Sequence, residues 1–160
     1  MYNYLYAMSR FADLPELNFP RPTLLARSAE NYDEIQCLVR RKWLKLEPEE
    51  WVRQHLIYYL STNLGYPMGL MAVEHRLTLN GVEKRADLVC YNNGGQPVLL
   101  AECKAPQIKL SQDTLDQAAR YNLVLNVPIL LLTNGNQHYA VATDINSPVD
   151  ILKSIPPFEQ

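Results

Sequence analysis

The chain has 160 residues, 48% of them hydrophobic and 20% charged, with a net charge of −2. This suits one globular domain with a real core, and the charge balance shows no global basic character of the kind that advertises nucleic acid, although a local patch would suffice. No apolar run approaches ~18 residues and the N-terminal MYNYLYAMSR has no basic leader before an apolar core, so neither a membrane span nor a signal peptide is expected.

In chain order, residues 1–34 are irregular. FADLPELNFPRPTLL is broken by prolines and has no period, so this segment reads as a wrapping arm or a partly ordered extension. IQCLVRRKWL reads as a short strand that opens into a basic turn. EPEEWVRQHLIYYLSTNLGYP reads as a helix: Pro48 suits the first position, acids fill the first turn, and Gly65 and Pro67 stop it. Val52, Leu56, Tyr59 and Leu60 form its core face. The period then changes to two. LMAVEHRLTLN, an Asn80-Gly81 turn, EKRADLVCY, a turn at NNGGQ and PVLLAECK make a meander. SQDTLDQAARYNLVL is a second helix with Ser111 at its N-cap. VPILLLT, Asn134-Gly135 and QHYAVAT add a strand pair, and the tail, residues 147–160, reads as a short helix or coil that frays. Residues 35–146 form the domain, with no repeat or linker. The order predicts an α/β (α+β) fold in which helices flank one central mixed sheet. Cys37, Cys90 and Cys103 are odd in number and lack C-x-x-C spacing, which points to buried thiols and a reducing cytoplasm.

Two acids and an amine interrupt the apolar strands. Residues two apart on a strand share a face, so Val98, Leu100, Glu102 and Lys104 point one way, and Leu99, Ala101 and Cys103 the other. Both sets are largely apolar, as in a central strand covered on both sides. Asp87 shares a face with Val89 and Tyr91, and a hairpin centred between Gly94 and Gly95 sets it opposite Glu102. Like charges facing each other across a ladder destabilise it, and half-buried carboxylates need a neutralising partner. A divalent cation meets that need. Oxygen ligands of this kind suit Mg²⁺ or Mn²⁺, which keep several waters and take substrate phosphate in their open positions. Lys104 points at the same spot, where an ammonium would help deprotonate or orient a water and stabilise phosphate charge. Against this stands a plain solvated strand end, since a single D…E-x-K match often arises by chance.

Gln117 and Tyr121, four apart in DQAARYN, share a face of the second helix, while Glu49 and Glu50 stand in the first turn of the earlier one. An acid, an Asp, E-x-K and Q-x-x-x-Y, in this order on these elements, resemble the PD-(D/E)XK nuclease superfamily. More narrowly, RKWLKLEPEEWVRQHLIYYL, RADLVCY, LLAECKAP, DQAARYN and PILLLTNG resemble the N-terminal nuclease domain of the type I restriction enzyme R subunit, over residues 35–143. The resemblance implies a restriction-endonuclease-like core and Mg²⁺-dependent hydrolysis of DNA, with Mn²⁺ as a substitute. It implies Asp87 and Glu102 as metal ligands, the backbone carbonyl of Cys103 as the third, and Lys104 as the catalytic lysine. Glu49 or Glu50 matches the first-helix acid; Glu49 shares the Val52–Leu56 face and is favoured for that reason. Gln117 and Tyr121 match the pair that supports the site and contacts the DNA backbone.

The chain departs from the pattern in two places. Ala86 precedes Asp87 where the superfamily's name has proline. R subunits also carry helicase motor domains, whereas this chain has no G-x-x-x-x-G-K-[ST] loop; it reads as a fragment or as a stand-alone relative. The expected partners are DNA and a motor domain or other restriction subunits. His55, His75 and His138 lie on separate elements without metal spacing and read as structural, and Cys103 as a core thiol. No serine nucleophile elbow or Gly-rich dinucleotide loop is present. RRKWLK, with Trp51 and Arg53 nearby, offers Arg41, Lys42 and Arg53 as phosphate contacts, against the plainer reading of a solvated charge run. The rival function is a nucleic-acid-binding or assembly module that keeps the nuclease fold without turnover.

Overall fold

The computed structural model of the chain describes residues 14–143 and 150–159. The first part of the expected arm, the start of the tail and Gln160 lie outside the described residues. Three short strands, β1 (Ala26–Ser28), β2 (Asp33–Gln36) and β3 (Trp43–Lys45), form a small antiparallel sheet. The expected basic turn joins β2 to β3, closed by the Cys37 amide on the Lys42 carbonyl at 2.9 Å. Helix α1 (Pro48–Leu64) follows, then strands β4 (Met71–Leu79), β5 (Val82–Tyr91) and β6 (Pro97–Cys103). Helix α2 (Gln112–Leu125) leads to β7 (Ile129–Thr133), β8 (His138–Ala142) and β9 (Asp150–Leu152). Strands β4 to β9 make one six-stranded sheet in sequential order. All neighbours are antiparallel except β6 and β7, which run parallel because α2 carries the chain back between them. This is the mixed α/β sheet flanked by helices that the pattern predicts.

Helix α1 begins at Pro48 and ends at Gly65, whose left-handed φ of 78° lets the Tyr66 amide bond back to the Leu60 carbonyl at 3.0 Å. It packs against one sheet face through Val52, Leu56 and Leu60, over Leu88, Leu99, Ala101 and Leu131. Helix α2 covers the other face, with Tyr121 over Val89, Leu100, Leu130 and Val141. Strand β6 is therefore buried on both sides, as its unbroken apolar run requires. Ser111 occupies the N-cap position of α2, but its hydroxyl pairs with the Thr114 hydroxyl at 3.4 Å and caps no backbone amide.

Two expectations change. The core face of α1 is wider than its period suggests, since Trp51, Arg53, Gln54, His55 and Ile57 are buried too. The elements preceding the helix cover that side: Gln54 accepts the Leu38 amide at 2.8 Å, and the Trp51 indole donates to the Pro15 carbonyl at 3.1 Å. The tail is neither helix nor coil throughout, because Asp150–Leu152 adds an edge strand to β8. Beyond it, the Tyr66 hydroxyl donates to the Pro156 carbonyl and the Phe158 amide to the Leu64 carbonyl, which ties the tail to the end of α1.

Leu99 and Leu100 are adjacent on β6 and face opposite helices. Each truncation to alanine is expected to cost about 2–5 kcal/mol in urea unfolding. A one-sided strand would show a large loss at only one of the two positions.

Candidate active site

The site lies where β5 and β6 stop pairing. Their ladder runs Cys90–Leu99, Val89–Leu100, Leu88–Ala101, and the next pair in that register would be Asp87 with Glu102. The predicted opposition is thus reached, although by a less direct route. The turn is longer than a centred two-residue hairpin, and a register shift at Cys90/Tyr91 restores the alignment. In place of a ladder bond, the Asp87 carboxylate itself accepts the Cys103 amide, Oδ2 to N at 2.7 Å.

On the other side, β4 pairs regularly with β5 except at Glu74, which stands across from Asp87 with φ at 50°. Residues two apart should share a sheet face, yet Val73 and Leu88 pack under α1, while Leu77 and Ala86 pack with the α2 cluster. Both strands change face across this one position. The left-handed turn at Glu74 supplies the rotation, so that Glu74 and Asp87 line a cleft on the α1 side while Glu102 is buried and bonds toward α2.

From the α2 side come Lys104, Gln117 and Tyr121. The Lys104 ammonium donates to Glu102 Oε1 at 3.2 Å and to Gln117 Oε1 at 3.3 Å. The Gln117 amide donates to Glu102 Oε1 at 2.5 Å and to the Tyr121 hydroxyl at 3.3 Å. Gln117 and Tyr121 share one face of α2, as their four-residue spacing predicts, and that face stands on the same side of the sheet as the Glu102 carboxylate.

From the α1 side, a cleft of about 310 Å³ opens between Glu49, Glu50, Arg53, Glu74, Asp87 and Cys103. A larger hollow of about 470 Å³ lies between the N-terminal segment and the tail, but it contains no paired acids and stands apart from this row. The two first-turn acids have different fates. Glu50 is buried and bound by the Arg53 guanidinium and the Gln54 amide. Glu49 is exposed at the cleft wall, contrary to the inward position expected from the Val52–Leu56 face. It sits in the first turn, where the face that is buried further along α1 opens into the cleft. Its charge still reaches Asp87, Glu102 and Lys104.

Arg53 also departs from expectation. It is 8% exposed and engaged by Glu50 and by Asp87 at 3.5 Å, so it is an interior residue of the site and not a surface contact. Trp51 is buried beside it. Arg41 and Lys42 remain exposed on the β2–β3 turn. The histidines serve local structure: His55 bonds the Trp51 carbonyl, His75 the Tyr91 hydroxyl, and His138 both Thr133 and Asn18. Cys103 points into the α1-side core, and burial holds its thiol well above the usual range. Sequence reasoning missed Glu74, which carries no motif; the signal that finds it is its place opposite Asp87 in the β4–β5 ladder.

Glu102 is buried, and its Oε2 has no hydrogen-bond partner. Burial and then the charge of Asp87 raise its pKa from 4.5 to about 7, against the opposing pull of Lys104. Burial also raises Asp87, more than the Cys103 amide and Arg53 lower it. Lys104 is lowered by burial, but Glu102 and Asp87 outweigh this and hold it above its ordinary value, so it is an ammonium at neutral pH. A buried carboxylate oxygen without a partner, beside a second desolvated carboxylate, fits a hard cation. Among the described residues no three His, Cys, Asp or Glu side chains group as a metal cage. Mg²⁺ needs none, since one or two carboxylates and waters suffice.

A carboxyl whose folded pKa stands above its unfolded one binds more protons when folded. The stability Glu102 contributes in acid is therefore lost as pH rises from 4.5 through about 7. In metal-free buffer the melting temperature of Glu102→Gln is expected to fall less than that of the native chain between about pH 5 and pH 8. Parallel curves for the two proteins would show that Glu102 does not titrate in this window.

A comparison with curated proteins finds no match. The family model described as Type I restriction enzyme R protein N terminus matches residues 48–156, from the first residue of α1 to the tail segment bonded to Tyr66. Within that span lie every acid of the row, Lys104, Gln117 and Tyr121, and the matched stretch is most of the chain. The chain belongs to the family of type I restriction enzyme R protein N-terminal domains.

Proposed function

We propose that this chain is a divalent-metal-dependent DNA endonuclease of the PD-(D/E)XK type that works in the cytoplasm as part of a restriction system. The observation that carries the reading is the partnerless, buried Oε2 of Glu102 next to Asp87, with the Lys104 ammonium on the same carboxylate. Asp87, Glu102 and the backbone carbonyl of Cys103 would hold Mg²⁺ or Mn²⁺. The ion would supply Lewis-acid stabilisation of the charge that develops on a scissile phosphate.

The chain's own groups divide the remaining work. Lys104, held charged, donates to the attacking water or a phosphate oxygen and does not serve as the proton acceptor. Gln117 fixes Lys104 and Glu102 together through one amide, and Tyr121 holds Gln117. The Cys103 amide fixes Asp87. Glu49 offers a solvent-facing carboxylate at the mouth, suited to ordering a water. Arg41 and Lys42 lie exposed where a DNA backbone would lend them counter-charge. DNA and the other subunits or motor of a restriction enzyme are the partners this reading calls for.

One observation favours a binding or assembly module without turnover. Asp87 is already satisfied by Arg53 and the Cys103 amide, as in a purely structural ion-pair network. Plasmid cleavage separates the two readings. Lys104→Ala is expected to lower Mn²⁺-dependent cleavage by about a hundredfold or more, while keeping the rise in melting temperature that Mn²⁺ brings. Undiminished cleavage by this variant, with contaminants excluded, sinks the assignment.

Asp87→Asn removes one charge of the row yet keeps an acceptor for the Cys103 amide. Without metal it is expected to melt near the native temperature. The native protein should gain roughly 2.7 kcal/mol at about a hundredfold excess of metal over its dissociation constant, and the variant far less. Thermal melts with EDTA and with Mn²⁺ read both quantities.

A further inference from the structure

Arg53 occupies a position that a bound cation would contest. Its Nη1 faces Asp87 Oδ1 at 3.5 Å, and Asp87 Oδ2 is taken by the Cys103 amide. Oδ1 is therefore the oxygen left for a metal, and a guanidinium, which stays charged at every working pH, stands against it. A divalent ion and a buried arginine side by side repel strongly in a partly desolvated cleft.

The cleft also contains a second place for Arg53. Glu74 Oε1 lies 3.8 Å from Arg53 Nη2, just beyond hydrogen-bond reach. Glu74 is held by its other oxygen, Oε2, on Arg40 Nη1 at 2.7 Å, which leaves Oε1 free to receive Arg53. Glu50 grips Arg53 through both Nε and Nη2, so the guanidinium is tethered and needs only a small tilt about that grip to exchange Asp87 for Glu74. Glu74 also keeps a left-handed backbone, φ 50°, which is costly for a non-glycine residue and tends to persist where function requires it.

We propose that Arg53 is a built-in counter-ion that neutralises Asp87 in the metal-free protein and passes to Glu74 when a divalent cation takes Asp87, so that Glu74 sets the metal affinity of the site without touching the metal. Glu74 is a positioning residue, acting through Arg53. The inference rests on the proposed metal site at Asp87 and Glu102.

The test is a double-mutant cycle read by Mn²⁺ titration, with calorimetry and thermal shift as readouts independent of cleavage. Glu74→Gln leaves Arg53 no charged alternative to Asp87, and Mn²⁺ is expected to bind about tenfold more weakly, the weight of one part-buried charged hydrogen bond. In a Glu50→Gln/Arg53→Gln background the buried pair is removed as a unit, which avoids an unpaired interior charge. There Mn²⁺ should bind more tightly than to the native chain, and adding Glu74→Gln should change nothing. An equal loss from Glu74→Gln in both backgrounds would make Glu74 a direct ligand and overturn the proposal, as would no loss in the native background. Should the paired background fail to fold, Arg53→Lys serves in its place. Its single ammonium cannot grip Glu50 at two atoms and reach Glu74 together, so it should shrink the effect of Glu74→Gln, and an undiminished effect there counts against the proposal. A native chain that binds no Mn²⁺ removes the metal site itself. Binding in the native chain without any Glu74 effect removes only the counter-ion exchange.

Discussion

A single hydrogen bond, from the Cys103 amide to the Asp87 carboxylate, organises the site. It replaces a ladder bond with a side chain, so β5 and β6 remain tied but cease to be a regular pair. It aims one Asp87 oxygen at the end of β6 and leaves the other facing the cleft. It also sets Asp87 beside Glu102, whose own carboxylate turns toward α2. Without that bond the two strands would either continue pairing, which would set two acids face to face in a ladder, or separate and expose their amides.

The two helices divide the electrostatics of this row. Helix α2 brings an amide and a phenol, which hold Glu102 and Lys104 in place but add no charge. Helix α1 brings Glu50 and Arg53, a buried ion pair whose net charge cancels and whose arginine lends itself to Asp87. The result is a set of carboxylates that can lie partly buried without metal. One oxygen, Glu102 Oε2, remains uncompensated. Burial of that kind raises carboxyl pKa values, and it is the feature on which the proposed metal site rests.

The family match begins at Pro48 and excludes the small sheet β1–β3. That sheet and its preceding segment are nonetheless part of the working architecture. They cover the outer side of α1, hold Gln54 through the Leu38 amide, and place Arg40 on Glu74. The N-terminal elements thus buttress the site from behind, while the matched span supplies the row of acids itself.

Much of this protein is legible in its residues. The switch from a 3.6 to a 2 period, the Asn-Gly turns, the proline start and glycine stop of α1, and the two-sided apolar run of β6 follow from local rules. So do the shared strand face of Glu102 and Lys104 and the shared helix face of Gln117 and Tyr121, because spacing alone determines which residues of an element point together. What spacing does not hold is how elements meet. Glu74 has no motif and enters the row only through the β4–β5 register and a left-handed backbone. Arg53 looks like a surface cation until Glu50 and Asp87 enclose it. Glu49 and Glu50 exchange their expected places because the first turn of α1 opens into the cleft. The tail strand pairs only because β8 presents an open edge. Local structure is written in intervals along the chain, and even the opposition of Asp87 and Glu102 follows from one hairpin, whereas burial, charge pairing and the meeting of Arg53 with Asp87 and Glu74 depend on residues distant in sequence, and only the folded sheet brings those together.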